Sequence, residues 1–206
     1  MRALKSTPAY LILFFGVVCT EGQGTFQNLD FESATPGSTS PNTVAFQAAL
    51  PGWTGYIAGV PQTTAGYNLV ALDSSTIGVI DRGWSSWMGS AGVIEGHYTA
   101  ILQAGLGISS GVPADTAMSQ TGLVPAGAQS LFFQAYAPGY LSPLLPLNVT
   151  LGGQRLSYVA LASGTNYTLY GADIHNLAGQ VAELDFTVPA MNPHYLNNTL
   201  VLGLKG

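Results

Sequence analysis

The chain reads as all-β: an antiparallel, two-sheet sandwich of jelly-roll-like build. Three observations lead there. Apolar and polar residues alternate in many short runs, with the period of two that belongs to half-buried strands. The 26 glycines and 12 prolines are spread between those runs instead of being gathered into one linker, as expected of strands joined by tight turns. No stretch sustains a helical period, so crossover helices are not expected and the sheets should pack face to face. Hydrophobic residues make up 47% of the chain and charged residues 7%, which gives the segments enough apolar surface to offset the entropy of ordering them.

The N-terminus comes first. Arg2 and Lys5 precede an apolar run over residues 9–19 and a small polar stretch over 20–24. That run is too short to span a bilayer, and the order basic, apolar, small is that of a secretory signal peptide. Residues 1–24 are therefore expected to be removed, leaving one domain over residues 25–206 that works outside the cytoplasm. Removal takes away Cys19, the single cysteine, so disulfides and thiol chemistry are excluded and the fold must rest on its core.

Within residues 25–206 the expected strands are 26–31, 53–57, 68–72, 76–80, 97–103, 118–121, 130–136, 147–151, 155–161, 167–170 and 181–188. The clearest is the last: Ala182, Leu184, Phe186 and Val188 point one way, Glu183, Asp185 and Thr187 the other. Pro125-Ala126-Gly127 and Gly152-Gly153 mark reversals. Trp53, in Pro51-Gly52-Trp53, reads as a core plug.

Charge narrows the partners. Beyond residue 24 only Arg82, Arg155 and Lys205 are basic, against nine acids, a net charge of −6. Such a chain lacks the footprint for phosphate backbones or anionic membranes, so no nucleic acid is expected. Neutral ligands such as sugars, or a cation held by carboxylates, fit better.

Asn28-Leu29-Asp30-Phe31-Glu32, Pro51-Gly52-Trp53, Gln120-Thr121 leading to Val124-Pro125-Ala126-Gly127, residues 130–134, Gly152-Gly153-Gln154-Arg155-Leu156 and Gly179-Gln180 occur here in one order. With them the chain resembles the secreted, uncharacterised β-sandwich proteins of Verrucomicrobia-type bacteria that often carry a Pro-Glu-Pro (PEP-CTERM) sorting tail. The resemblance implies a fold similar to galactose-binding-like domains and carbohydrate-binding modules, and suggests Glu32 as a ligand of a structural calcium; it implies no settled activity and no other cofactor. The chain departs from the pattern at its end, where residues 197–206 carry no sorting tail. The mature protein is expected to be released without a membrane anchor, as a monomer.

Sugar binding needs flat rings to stack on pyranose faces, with polar groups beside them for the hydroxyls. Trp84 and Trp87, preceded by Asp81 and Arg82, offer both in one glycine-flanked loop; Tyr56 and Tyr67 are secondary candidates. The competing expectation is that the two tryptophans fold back over the open edge of the core. Gly107-Ile108-Ser109-Ser110-Gly111 fits the pattern of a hydrolase nucleophile elbow, but Val112-Pro113-Ala114 does not open the helix such an elbow requires. His97, His175 and His194 are too scattered for a zinc site. For glycoside hydrolysis, Glu95 with Asp73 or Asp173 with Glu183 could be paired only on paper.

The expectation is thus a secreted, non-enzymatic β-sandwich that binds an extracellular polysaccharide or glycan, or is associated with the extracellular matrix. The alternatives are a secreted carbohydrate-active hydrolase and a structural envelope protein with no ligand site.

Overall fold

A computed structural model of the chain describes residues 25–37, 42–69, 74–84, 92–107, 111–136 and 147–190, and the backbone of 198–203. The expected signal peptide lies outside the described residues. The strands in chain order are β1 (Thr43–Ala45), β2 (Thr54–Ile57), β3 (Val60–Pro61), β4 (Thr64–Tyr67), β5 (Thr76–Asp81), β6 (Tyr98–Leu106), β7 (Pro113–Ala114) and β8 (Thr116–Leu123). They continue with β9 (Ser130–Tyr136), β10 (Asn148–Leu151), β11 (Gln154–Arg155), β12 (Tyr158–Ser163), β13 (Thr168–Asp173), β14 (Val181–Val188) and β15 (Asn198–Gly203). One helical turn, α1 (Phe46–Ala49), follows β1.

Two sheets result, as the alternation predicts. The larger runs β1-β4-β5-β6-β15-β9-β13-β12, with β7 beside β6; the smaller runs β11-β10-β14-β8-β2-β3. From β8 onward the chain switches repeatedly between sheets, and β14 pairs with β8 over its whole length, from Val181 opposite Leu123 to Val188 opposite Thr116.

The inner faces share one core. Trp53, Phe133 and Phe186 are all fully buried there, with Phe133 edge-on to Phe186 and Trp53 between Phe31 and Phe186. Trp53 is the plug the sequence predicts, and its Nε1 donates to the Asn28 carbonyl at 3.1 Å, which satisfies the indole N–H where water cannot reach it. Along β14, Ala182, Leu184, Phe186 and Val188 are buried while Glu183, Asp185 and Thr187 face outward.

Four expectations are corrected. Residues 26–31 are not a strand: Asn28 and Phe31 take left-handed backbone, at φ 49° and 62°, and Phe26, Leu29 and Phe31 are all buried. That spacing does not alternate. The segment is held by side chains instead, with Gln27 N–H donating to Gln120 Oε1 and Gln120 Nε2 to the Gln27 carbonyl. Of the strand expected at 68–72 only residues 68 and 69 are described, and they lie just past the end of β4, where Asn68 turns the chain at φ 50°. The antiparallel rule has an exception in β4 and β5, which run parallel with Gly66 opposite Gly78. There a Cβ on Gly78 would sit 2.6 Å from the Gly66 carbonyl oxygen, so the two backbones approach closely only because position 78 has no side chain. Finally, the single strand expected over 155–161 divides into β11 in the smaller sheet and β12 in the larger, while β15 enters the larger sheet between β6 and β9.

Candidate functional site

The Asp81-Arg82-Trp84 group lies at one end of the larger sheet, where β5 finishes and β6 begins. Asp81 is paired in register with Tyr98, and Tyr67 and Tyr98 pack against the rim of the core. The Tyr67 hydroxyl donates to Asp81 Oδ2, the Gly83 N–H donates to Oδ1 at 2.8 Å, and the Asp81 N–H donates to Asn68 Oδ1 at 3.0 Å. Burial raises the Asp81 pKa, but hydrogen bonds from Tyr67, Asn68, Gly83 and Trp84 more than offset it and hold the carboxyl below the ordinary aspartate value. The same bond, with burial and the Asp81 charge, pushes the Tyr67 phenol up to about 12.

Trp84 donates its backbone N–H to the Asp81 carbonyl at 3.1 Å. Its indole is half-buried against Ile80 and Ile101, with Val93, Ile94 and Tyr136. These residues form a satellite cluster apart from the main core, on the outer face of the larger sheet. Trp84 therefore does fold back, over this cluster and not over the core's edge, and is only partly buried there. The neighbouring segment is pinned over the same face: Ile94 N–H donates to Thr99 Oγ1 at 2.9 Å, Gln134 Nε2 to Glu95 Oε2 at 3.3 Å, and Asn166 Nδ2 to the Val93 carbonyl at 3.1 Å. Trp87 lies outside the described residues.

Exposed Arg82 donates from Nε to the Gly96 carbonyl. On the other side of Gly96 sits Glu32. Its carboxylate accepts the His97 N–H at 2.8 Å and the Tyr98 N–H at 3.0 Å, and its Oε2 lies 3.2 Å from His97 Nδ1. Gly96 is left-handed at φ 67°, and a Cβ there would overlap Glu32 Oε1. Glu32 thus ties the N-terminal segment to the start of β6 through a small nest of backbone donors. Among the described residues no group of three or more His, Cys, Asp or Glu could hold a metal ion.

Asp81, Arg82, Trp84 and Glu32 are brought to one end of the molecule, and the structure adds Asn68, His97 and Tyr98 to them. Tyr67 was legible as an aromatic in the sequence; its bond to Asp81 was not, because it depends on the parallel pairing of β4 with β5. Tyr56 does not join them. It is half-buried on β2, opposite Pro61 and Ala117 in the smaller sheet.

The smaller sheet's outer face carries its own acids. Ser119 Oγ donates to Glu183 Oε1 at 2.6 Å, and Thr187 Oγ1 to Asp185 Oδ1 at 2.5 Å. Burial raises the Asp185 pKa, the Thr187 bond works against it, and the charges of Glu183 and Asp115 add to the rise. Asp173 and Glu183, a pair conceivable from sequence, are on different sheets; Asp173 bonds His175 Nδ1 at 2.7 Å. Asp73 lies outside the described residues, as do 108–110 of the glycine-serine motif. That motif is followed by strand β7 and not by a helix, so the elbow context is lacking.

No family model matches the chain, and no curated protein matches it in sequence. Its structure is similar to that of a Stig cyclase, Fisc from Fischerella sp. TAU, solved with a pyrrolidinylidene-indole compound: 17% identity, TM-score 0.48, covering 89% of this chain and 98% of that one. It is also similar to the enzymatically active domain of bacteriophage CBA120 tailspike protein 4, at 12% identity and TM-score 0.41, covering 87% of this chain and 20% of that one. A carbohydrate-binding module of the β-sandwich superfamily matches at 8% identity and TM-score 0.42, covering 77% of this chain and 58% of that one. Two of these are described by an enzymatic activity and one by sugar binding, and at such scores neither passes to this chain.

Proposed function

We propose that this protein is an exported β-sandwich module that binds an extracellular glycan without turning it over, at the end of the larger sheet around Trp84. The observation that carries the reading is a partly buried Trp84 packed on Ile80 and Ile101, its backbone fixed to Asp81, beside exposed Arg82. A ring held in this way stacks on a sugar face at little entropic cost, and a guanidinium next to it supplies donors for hydroxyls. The basic-then-apolar N-terminus supports export, and the low positive charge favours a neutral ligand over a polyanion.

The test is a polysaccharide and glycan panel with purified protein and a Trp84→Ala variant, with and without calcium. Binding that Trp84→Ala weakens about tenfold or more, the equivalent of ~1.4 kcal/mol, is the expected result. Release of shortened sugars by the parent would favour the hydrolase reading. A well-folded parent that binds no member of the panel would leave the structural envelope reading in front.

A further inference from the structure

Arg82 is one of three basic residues beyond position 24, with Arg155 and Lys205, against nine acids. It stands at the corner of a tight turn. The Trp84 N–H donates to the Asp81 carbonyl at 3.1 Å, which makes Arg82 and Gly83 the two central residues of that turn and sets Arg82 one residue from the tryptophan. The side chain is exposed yet not loose, because its Nε donates to the Gly96 carbonyl. Arg155, exposed on β11, is held by no such bond among the described residues.

The carboxylates that flank Arg82 are committed to other donors. Asp81 takes the Tyr67 hydroxyl on Oδ2 and the Gly83 N–H on Oδ1. Glu32, across Gly96, takes the His97 and Tyr98 N–H groups and lies against His97 Nδ1. Among the described residues the ion pairs are Glu32 with His97 and Asp173 with His175, so no carboxylate there neutralises Arg82. With Nε spent on Gly96, the two Nη groups remain, the end-on edge of the fork, whose spacing matches the two oxygens of one carboxylate. A net-acidic chain thus keeps a fixed, unneutralised guanidinium beside Trp84 while the acids around it are satisfied without it.

Resting on the reading of Trp84 as a glycan platform, we infer that the sugar at this site is a uronic acid, its ring stacked on Trp84 and its carboxylate accepting two hydrogen bonds from Arg82. A hydroxyl offers the fork one acceptor oxygen; a carboxylate offers two in one plane, with the opposite charge. The net charge of −6 beyond residue 24 restricts how such sugars are spaced. A polyanion is repelled by the rest of the surface, whereas one carboxylate among neutral sugars meets Arg82 alone. The ligand class is therefore a mostly neutral polysaccharide bearing spaced uronates.

The test adds to the glycan panel three uronate-bearing polysaccharides, glucuronoxylan, gum arabic and sparsely de-esterified pectin, each beside its carboxyl-reduced form. Binding is measured for the purified protein, Arg82→Gln and Arg155→Gln, with circular dichroism to show that each is folded. The parent should bind at least one acidic form about tenfold or more tighter than its reduced counterpart, a readout that needs no variant. Because the molecule as a whole repels anions, that preference has no source in its general field. Arg82→Gln should bind the two forms alike, and Arg155→Gln should keep the parental preference. A parent that binds only neutral members, or both forms equally, overturns the inference and leaves the glycan reading standing. A preference that survives Arg82→Gln, or is lost with Arg155→Gln, overturns it as well by placing the carboxylate elsewhere. A folded parent that binds no member overturns both this inference and the reading on which it rests.

Discussion

Asp81 and Asp185 each accept a hydroxyl hydrogen bond, from Tyr67 and from Thr187, yet their acidities move in opposite directions. Both are penalised by burial. Asp81, at the end of the larger sheet, meets further donors: the N–H groups of Gly83 and Trp84, and Asn68. Asp185, on the outer face of the smaller sheet, meets two more acids, Glu183 and Asp115. What surrounds a carboxylate thus decides whether its burial is compensated: Asp81 at one end of this molecule is compensated, while Asp185 on the opposite sheet is not.

The largest effect comes from an acid with neither donors nor water. Phe186→Asp puts a carboxylate between Trp53 and Phe133 and should cost more than the about 3–5 kcal/mol of a Phe→Ala truncation. That is a large share of the about 5–15 kcal/mol that holds a typical domain together. The variant should be unfolded or insoluble by circular dichroism and gel filtration; cooperative melting at the parental temperature would show that the core has been misassigned.

Gly96→Ala ranks next, because it attacks the donor nest of Glu32. Left-handed backbone alone costs about 1–2 kcal/mol in an L-residue, and the added Cβ must displace the Glu32 carboxylate. A lower melting temperature and faster exchange of the His97 and Tyr98 amides should appear together. Loss of stability with those amides still protected would separate the backbone strain from the nest.

Tyr67→Phe removes one donor from Asp81 and should cost about 1 kcal/mol near neutral pH. The difference from the parent should fade at both extremes. Asp81 is shifted down, so its contribution is present above the ordinary aspartate value and is lost as pH falls through the lower, folded one. Tyr67 is shifted up to about 12, so its contribution is present below the ordinary 10.0 and is lost as pH rises toward 12. Melting temperature against pH for both proteins checks this, and a difference independent of pH would point to packing alone.

The smallest effect has the opposite sign. Asp185 is shifted up, so protonation favours the folded state and the ionised form works against it at neutral pH. Asp185→Asn should raise the melting temperature slightly at pH 7, with the gain vanishing in acid where the parent's Asp185 is already neutral. No gain at pH 7 would mean that Thr187 compensates Asp185 as well as the donors compensate Asp81.

The sequence by itself determined the strands whose faces differ in polarity. The alternation in residues 181–188 matches β14 residue for residue, because a half-buried strand must show its period locally; the bounds of β9, 130–136, are legible as well, although its burial does not alternate. It also pointed to Trp53 as a core plug, which the fold buries completely. Tertiary structure alone decided the rest. Residues 26–31 mimic a strand in composition, but Asn28 and Phe31 become left-handed because Pro51, Trp53 and Gln120, distant in sequence, supply the bonds that hold the segment. The grouping of Asp81, Arg82 and Trp84 was legible because the residues are neighbours. Their meeting with Tyr67, Glu32 and His97, and the separation of Tyr56 onto the other sheet, were not, since strand order is set by long-range pairing that leaves no local period in the chain.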